Sequence, residues 1–383
     1  MSWNSIIGQK KVKEYFRRVF AEGVLANAYC FYGVEGVGKF ATALEIIKTA
    51  SCLKPKLIDG YRESCGECQN CIDILNLKFP NVEYIFSLPS GKVSEKEDSS
   101  IVESLSDALI EEINLKLKEK IANPYAKFSI EGASQIKVAQ IRELRKALAL
   151  SNSLPGRKFV VFFNAEEMRI ESQNAFLKTL EEPRSDITFF LLTTKREGLL
   201  PTILSRCQQI FFPPLSDQEI AFVLKQENKL SEDEIKIISR FANGSLTRAY
   251  ELVGANLKDL RNSLIDLLRI SLKKELPGKQ LVDKINELTS GMDKKMAQTC
   301  LHLLGNWLRD AVVVASNGSD SLVVNIDDLE TLERFANKFV NENINQAFEV
   351  IENANYMIFS NVQIPNVFLN LFLEIRKLLI KIS

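Results

Sequence analysis

The sequence predicts an α/β fold built on a mainly parallel sheet over its first 215 residues, followed by an all-helical region. Three observations carry that expectation. Short apolar runs alternate with helical patterns as far as Pro213-Pro214, a glycine-rich loop leaves one of these runs and enters a helix, and beyond the two prolines the strand signal disappears. At 383 residues the chain exceeds one ordinary domain, so two or three are expected.

The candidate strands are Ala28–Tyr32, Val82–Phe86, Phe159–Phe163, Ile187–Thr193 and Gln209–Phe212. They are short, rich in Phe, Val and Ile, and bounded by Gly, Pro or polar residues, as strands buried on both faces should be. Between Ser87 and Ala133 the pattern breaks. Ser94–Ser100 reads as an exposed loop, and Ile101, Leu105, Leu109 and Ile113 fall on one face of a helix over Ile101–Ile121. This stretch is read as an insertion that embellishes the surface. Beyond Leu215, turns are expected near Asn243-Gly244 and Pro277-Gly278, with a loop at Asn317–Asp320. A final helix over Val367–Ile382 places Val367, Phe368, Leu371, Phe372, Ile375, Leu378 and Leu379 on a helical repeat. The expected parts are an α/β domain at 1–213, a small helical domain at 214–276 and a second helical domain at 277–383.

Composition narrows the function. Hydrophobic residues make up 46% and charged residues 26%, as in a globular protein, and 49 basic residues balance 49 acidic ones. No global charge excess points to nucleic acid or membrane. The chain's start has neither a basic run nor a secretory apolar core, and no run of about 18 apolar residues occurs, so a cytoplasmic address without a membrane partner is expected. The one histidine, His302, stands among Leu301, Leu303 and Leu304, which points to packing. A catalytic triad or multi-histidine metal centre is thereby disfavoured.

Cys52, Cys65, Cys68 and Cys71 form a cluster with two successive C-x2-C steps. Four thiolates at this spacing can converge on one zinc and saturate its tetrahedral shell, which makes such a site structural and not catalytic. The alternatives are a disulfide pair, disfavoured in a reducing compartment, and unrelated cysteines, disfavoured by the tight spacing. Cys30, Cys207 and Cys300 lie in apolar or mixed surroundings and read as core thiols.

The glycine-rich loop is Gly33-Val-Glu-Gly-Val-Gly-Lys-Phe40. Gly33, Gly36, Gly38 and Lys39 can present amide donors and a cation to phosphates. A working loop carries Ser or Thr after the lysine to hold magnesium, and here Phe40 stands there. Hydrolysis also needs an Asp and a Glu at the end of a second strand. After Phe159–Phe163 come Asn164 and Ala165, and only a local bulge would bring Glu166 or Glu167 into those places. The metal ligand, its shell and the water activator are thus all altered. Hydrolysis is not expected, and ATP or ADP binding is left open.

Gln173–Pro183 and Leu199–Gln208 resemble signature runs of the bacterial clamp-loader AAA+ subunits of DNA polymerase III, which load the polymerase's sliding clamp. Ile6-Ile-Gly-Gln9 is similar to that family's N-terminal box at the adenine pocket, and Gly244-Ser245-Leu246 with Arg248 to its lid motif. Arg184 and Phe176 depart from the pattern as packing drift, and the insertion at 87–133 is foreign to it. The resemblance implies an AAA+ P-loop module with a zinc knuckle, a helical lid and a helical collar that joins a five-subunit ring. Phe40, Asn164 and Ala165 resemble the non-hydrolysing delta-prime branch and not the ATP-hydrolysing gamma/tau branch. The implied partners are gamma/tau motor subunits and a delta subunit, with the sliding clamp and primer-template DNA met through the assembled complex. The resemblance also makes Arg206, between Ser205 and Cys207, an arginine finger acting in trans on a neighbour's nucleotide, with a surface arginine in an ordinary salt bridge as the alternative. Arg248 would be the lid arginine, with a structural role as good a reading. Two rivals are an active clamp-loader ATPase using Glu166 or Glu167, and a non-replicative zinc-bearing AAA+ binding module.

Overall fold

The computed structural model describes residues 2–23, 25–89, 105–149, 155–182, 184–227, 230–253, 256–316, 323–325, 328–341 and 343–380. The expected loop at 94–100, Ile101, Pro183 and the expected loop at 317–320 lie outside them. The described residues pack as two units, Met1–Ile235 with Ala242–Glu251, and Lys236–Phe241 with Leu252–Ser383.

The first unit begins with α1 (Lys10–Glu22), β1 (Ala28–Tyr32) and α2 (Lys39–Ser51). A hairpin, β2 (Lys56–Ile58) and β3 (Tyr61–Glu63), leads to α3 (Gln69–Leu75) and β4 (Val82–Ile85). Next come β5 (Leu88–Pro89), α4 (Asp107–Ala122), β6 (Ala133–Gln135), α5 (Val138–Ala149) and β7 (Lys158–Phe162). The unit continues with α6 (Ile170–Glu181), β8 (Ile187–Thr193), α7 (Pro201–Leu204), β9 (Gln208–Phe211) and α8 (Asp217–Glu227). α9 (Glu232–Phe241) crosses the division between units, and α10 (Leu246–Leu252) follows.

The main sheet has the order β4-β7-β8-β1-β9, and every pair in it is parallel. All residues of β7 and β8 are buried, as the continuous apolar runs require. Alternation sorts β1 between two layers. Ala28 and Cys30 join Val160, Phe162, Phe189 and Leu191 in a core closed by α5 and α6. On the opposite side Tyr29 stacks on Phe190 at 5.7 Å, and Phe16 of α1 meets Phe31 at 5.7 Å. β7 and β9 begin one residue earlier than expected. In β7 the reason is Lys158, whose backbone pairs with Ile187 while its amine reaches the Ala147 carbonyl at 3.2 Å. A strand can start on a lysine when the stem is buried and the head is satisfied.

The second unit holds α11 (Leu257–Ser271), α12 (Gly278–Thr289), α13 (Lys294–Ala315), α14 (Leu329–Phe339), α15 (Ile344–Phe359) and α16 (Ile364–Leu379). In α16 the expected face buries Val367, Phe368, Leu371, Phe372, Ile375 and Leu379, with Leu378 half-buried. Arg376 of α16 donates to the carbonyls of Ser271, the last residue of α11, and of Lys273 and Lys274 just past it, satisfying groups that a helix end leaves open. His302 corrects an expectation: Leu301, Leu303 and Leu304 are buried in α13, but the phase of that helix leaves His302 exposed. No described helix is long and apolar enough to cross a membrane.

Candidate nucleotide cleft and cysteine knuckle

Parallel strands gather their C-terminal ends on one edge of a sheet, and loops there carry function. The glycine-rich loop leaves β1 at that edge, beside the ends of β7 and β8. Gly33 has φ +147, and a Cβ there would lie 2.3 Å from the Phe212 carbonyl oxygen. Gly36, at φ +75, faces the start of α10, where its Cβ would meet the Thr247 nitrogen at 2.4 Å. The Leu246 N–H donates to the Gly36 carbonyl at 3.2 Å. Loop and α10 are therefore in direct backbone contact, and only glycine fits between them.

Lys39 spends its amine on its own loop, donating to Gly33 and Val34 carbonyls at 2.6 and 2.7 Å. Burial lowers its pKa to about 8, with Glu166 and Glu35 partly offsetting the effect. Phe40 is buried and packs on Phe163 at 5.0 Å, which stacks on Phe128 at 4.4 Å. An aromatic cluster fills the place where a metal-binding hydroxyl would be expected.

The insertion supplies the rest of the filling, which corrects its reading as a surface embellishment. The Tyr125 hydroxyl accepts from the Ile7 N–H at 2.8 Å, its carbonyl accepts from the Thr247 hydroxyl, and its ring lies against Gly38. Lys120 of α4 stands over the Phe40 ring, and burial lowers its pKa to about 8. Between Gly36, Gly38, Lys39, Lys120, Phe128 and Asn164 remains a cavity of about 50 Å³. Sites for small organic ligands span ~300–1,000 Å³. As arranged, these walls do not fit a nucleotide.

Gln9 links the N-terminal box to the loop, its side-chain N–H donating to Val37 and Pro213 carbonyls at 3.1 and 2.8 Å. Asn164 adopts φ +48 and opens a tight turn over Ala165–Glu167. Its amide donates to Glu167 at 3.0 Å, and the Ser87 hydroxyl donates to the same carboxylate. Burial raises the pKa of Glu167. Glu166 accepts from the N–H and hydroxyl of Thr194 at 2.9 and 2.7 Å. Its other oxygen is buried and meets no donor among the described residues. Ala165 is buried.

Arg206 lies away from this cleft, just past α7. It donates to the Thr202 carbonyl at 3.1 Å and pairs with Glu181 at 3.2 Å in an exposed setting. Ser205 donates to Thr202 at 3.0 Å, and Cys207 turns into the core beside Cys30, where burial holds its thiol at about 12. Arg248, in α10, is not among the residues that line the cavity, and burial lowers its pKa.

The four cysteine sulfurs converge within 4.8 Å of one another. Cys52 directly follows α2, Cys68 directly precedes α3, and Cys71 lies within α3. Backbone N–H groups of Cys65, Glu67 and Cys68 donate to the sulfurs of Cys52, Cys65 and Cys65 at 3.3, 3.4 and 3.2 Å, an arrangement that suits thiolates. Thiolates at about 2.3 Å from a central zinc stand nearly 4 Å apart, and Cys52 and Cys68 are 3.9 Å apart. The donor set fits zinc, with no position left over for substrate.

Sequence reasoning brought the loop, Asn164 and the cysteines to their places. It missed Lys120, Tyr125, Phe128 and Thr247. The available signal was Tyr125, Phe128 and Ile130 directly after a helix, too apolar a run for a solvated loop.

A parallel sheet with a glycine-rich loop at the end of its inner strand β1 defines an α/β module of the phosphate-loop type, here with aromatic side chains filling the space beside the loop. The chain belongs to the family described as DNA polymerase III, delta subunit, whose model matches residues 8–216, and so to the clamp-loader proteins. It is 27% identical over 267 residues to the DNA polymerase III subunit delta' of Pseudomonas aeruginosa, across 69% of this chain and 66% of that one. It is 30% identical over 257 residues to the subunit gamma of Buchnera aphidicola subsp. Schizaphis graminum, across 66% and 57%. The Bacillus subtilis subunit delta' is 26% identical over 227 residues, across 59% and 52%. The matched stretch thus spans about half to two thirds of these relatives. Among solved structures, a gamma subunit-related protein from Thermotoga maritima covers 95% of this chain and 98% of its own, at 15% identity and a TM-score of 0.40.

Proposed function

We propose that this chain is a non-hydrolysing, delta-prime-like clamp-loader subunit that helps assemble the pentameric loader and supplies Arg206 in trans to a neighbouring ATPase. In this reading residues 1–213 are the AAA+ module, with the zinc knuckle near 52–71, residues 214–276 the lid and residues 277–383 the collar. Zinc is structural, and gamma/tau and delta subunits are the partners. Sliding clamp and primer-template DNA are met through the assembled complex. The observation that carries the reading is the cleft: the cavity beside the glycine-rich loop is only about 50 Å³, and Phe40, Asn164 and Ala165 replace the groups that hydrolysis needs. Nothing in that cleft calls on Arg206, whose exposed partner Glu181 is readily exchanged for a stronger anion.

The test is a loader reconstituted from this chain and its motor subunits, with and without Arg206→Ala. The variant should assemble normally and lose DNA-stimulated ATPase by at least tenfold, since arginine fingers are worth about 10³–10⁵. An unchanged rate sinks the proposal.

A second reading, an active ATPase using Glu166, is favoured by the buried carboxylate oxygen that meets no described donor. Steady ATP turnover by the purified chain, abolished by Lys39→Ala, would establish it. Loss of the motor partners, with salt-sensitive duplex binding by the chain alone, would instead mark a zinc-bearing binding module.

A further inference from the structure

We propose that a groove in the second unit, between α11, α13 and α14, docks an acidic segment of a partner protein through bulky apolar side chains. The groove encloses about 680 Å³, room for two or three such side chains. Leu272, Trp307 and Phe335 are buried at its floor, and Phe339 is half-buried beside them. Around these lie Arg269, Lys273, Lys274, Arg334 and Lys338, with no carboxylate among the described lining residues. The whole chain is balanced at 49 basic and 49 acidic residues, so five cations at one apolar opening are a local concentration and not a reflection of composition.

Their engagement with the chain's own acids is incomplete. Arg269 and Arg334 pair with Asp266 and Glu330 on their own helices. Lys273 reaches only the neutral Gln280, and Lys274 and Lys338 make no ion pair among the described residues. An acidic segment entering the groove would meet three cations without having to displace a carboxylate. Buried apolar contacts would supply affinity, and the lysines register and on-rate. Nucleic acid is the poorer fit, because single strands bind by stacking on exposed aromatic faces. Here Trp307 is 1% exposed and Phe335 8%.

The full chain should be titrated against a short fluorescein-labelled peptide alternating Asp or Glu with Leu or Phe. Controls are the same peptide with Asn and Gln replacing its acids, and a labelled single-stranded oligonucleotide. Saturable binding of the acidic peptide is expected, at least about tenfold weaker for the neutral peptide. The double variant Lys274→Glu, Lys338→Glu should weaken it by a similar factor, with helical content and melting temperature unchanged. Phe339→Ala should weaken both peptides alike. Failure of the acidic peptide to bind, equal binding by the charge-reversed chain, or tighter binding of the oligonucleotide would each overturn the assignment. None of these readouts depends on ATPase activity or loader assembly.

Discussion

The ammonium of Lys120 stands 5.6 Å from the centre of the Phe40 ring, on the wall of the small cavity beside the glycine-rich loop. One residue comes from the insertion and the other from the loop, so α4 closes the cleft from across the molecule. Lys120 is ordinarily protonated up to 10.5, and burial lowers this to about 8. Between those values the unfolded chain binds the proton and the folded chain does not. Stability from this group therefore rises with pH across that window. Subtracting the unfolding free energy of Lys120→Met from that of the wild type should leave a difference that climbs from pH 8 to about 10. A flat difference means the amine is not held in an apolar place.

Nucleotide should leave the isolated chain unmoved. A ligand that binds only the folded state raises its stability by RT ln(1 + L/Kd), where L is the free ligand concentration. With about 50 Å³ available, millimolar Mg-ATP or ADP should not shift the melting temperature. A dose-dependent rise would show that Tyr125 and Lys120 yield.

Gly36→Ala should be costly. Its new methyl group would meet the backbone of Thr247 at 2.4 Å in a left-handed conformation that alanine disfavours. A loss of about 2 kcal/mol or more is expected in chemical denaturation, since both strain and separation of loop from α10 contribute. Gly60, also at positive φ but with nothing near its Cβ, is the control, and Gly60→Ala should cost only about 1 kcal/mol.

Arg206→Ala should change the stability of the isolated chain by less than about 1 kcal/mol. Its pair with Glu181 is exposed on both sides, and solvent screens such pairs. A larger loss would make the arginine a structural element.

Cys68→Ser should remove bound zinc and lower the melting temperature of the first unit. Metal content by atomic absorption and a melt with and without chelator check this together. A variant with unaltered metal and melting behaviour would leave the cysteines without an ion to hold.

What could be read in advance follows physical locality. Phe159, Val160, Val161 and Phe162 announce a buried strand because burial on both faces demands an unbroken apolar run. The places of Gly33, Gly36 and Gly38 after β1, and the convergence of the four cysteines, are legible because they depend on short spacing. Tyr125 was not, because its meaning comes from Ile7, Gly38 and Thr247, which are far from it in sequence. His302 was misread for a related reason. Leucine neighbours in sequence point elsewhere on a helix, and only the phase of α13 decides which positions face inward.

α2 begins at Lys39 and ends one residue before Cys52, and it is buried along nearly all of that length. Thirteen residues make a rod of about 20 Å. Its two ends therefore share one alignment: a shift that re-seats the knuckle tilts the glycine-rich loop as well. Metal status should thus be audible at the far end, as altered hydrogen exchange around Gly36 and Gly38 in chain stripped of its ion.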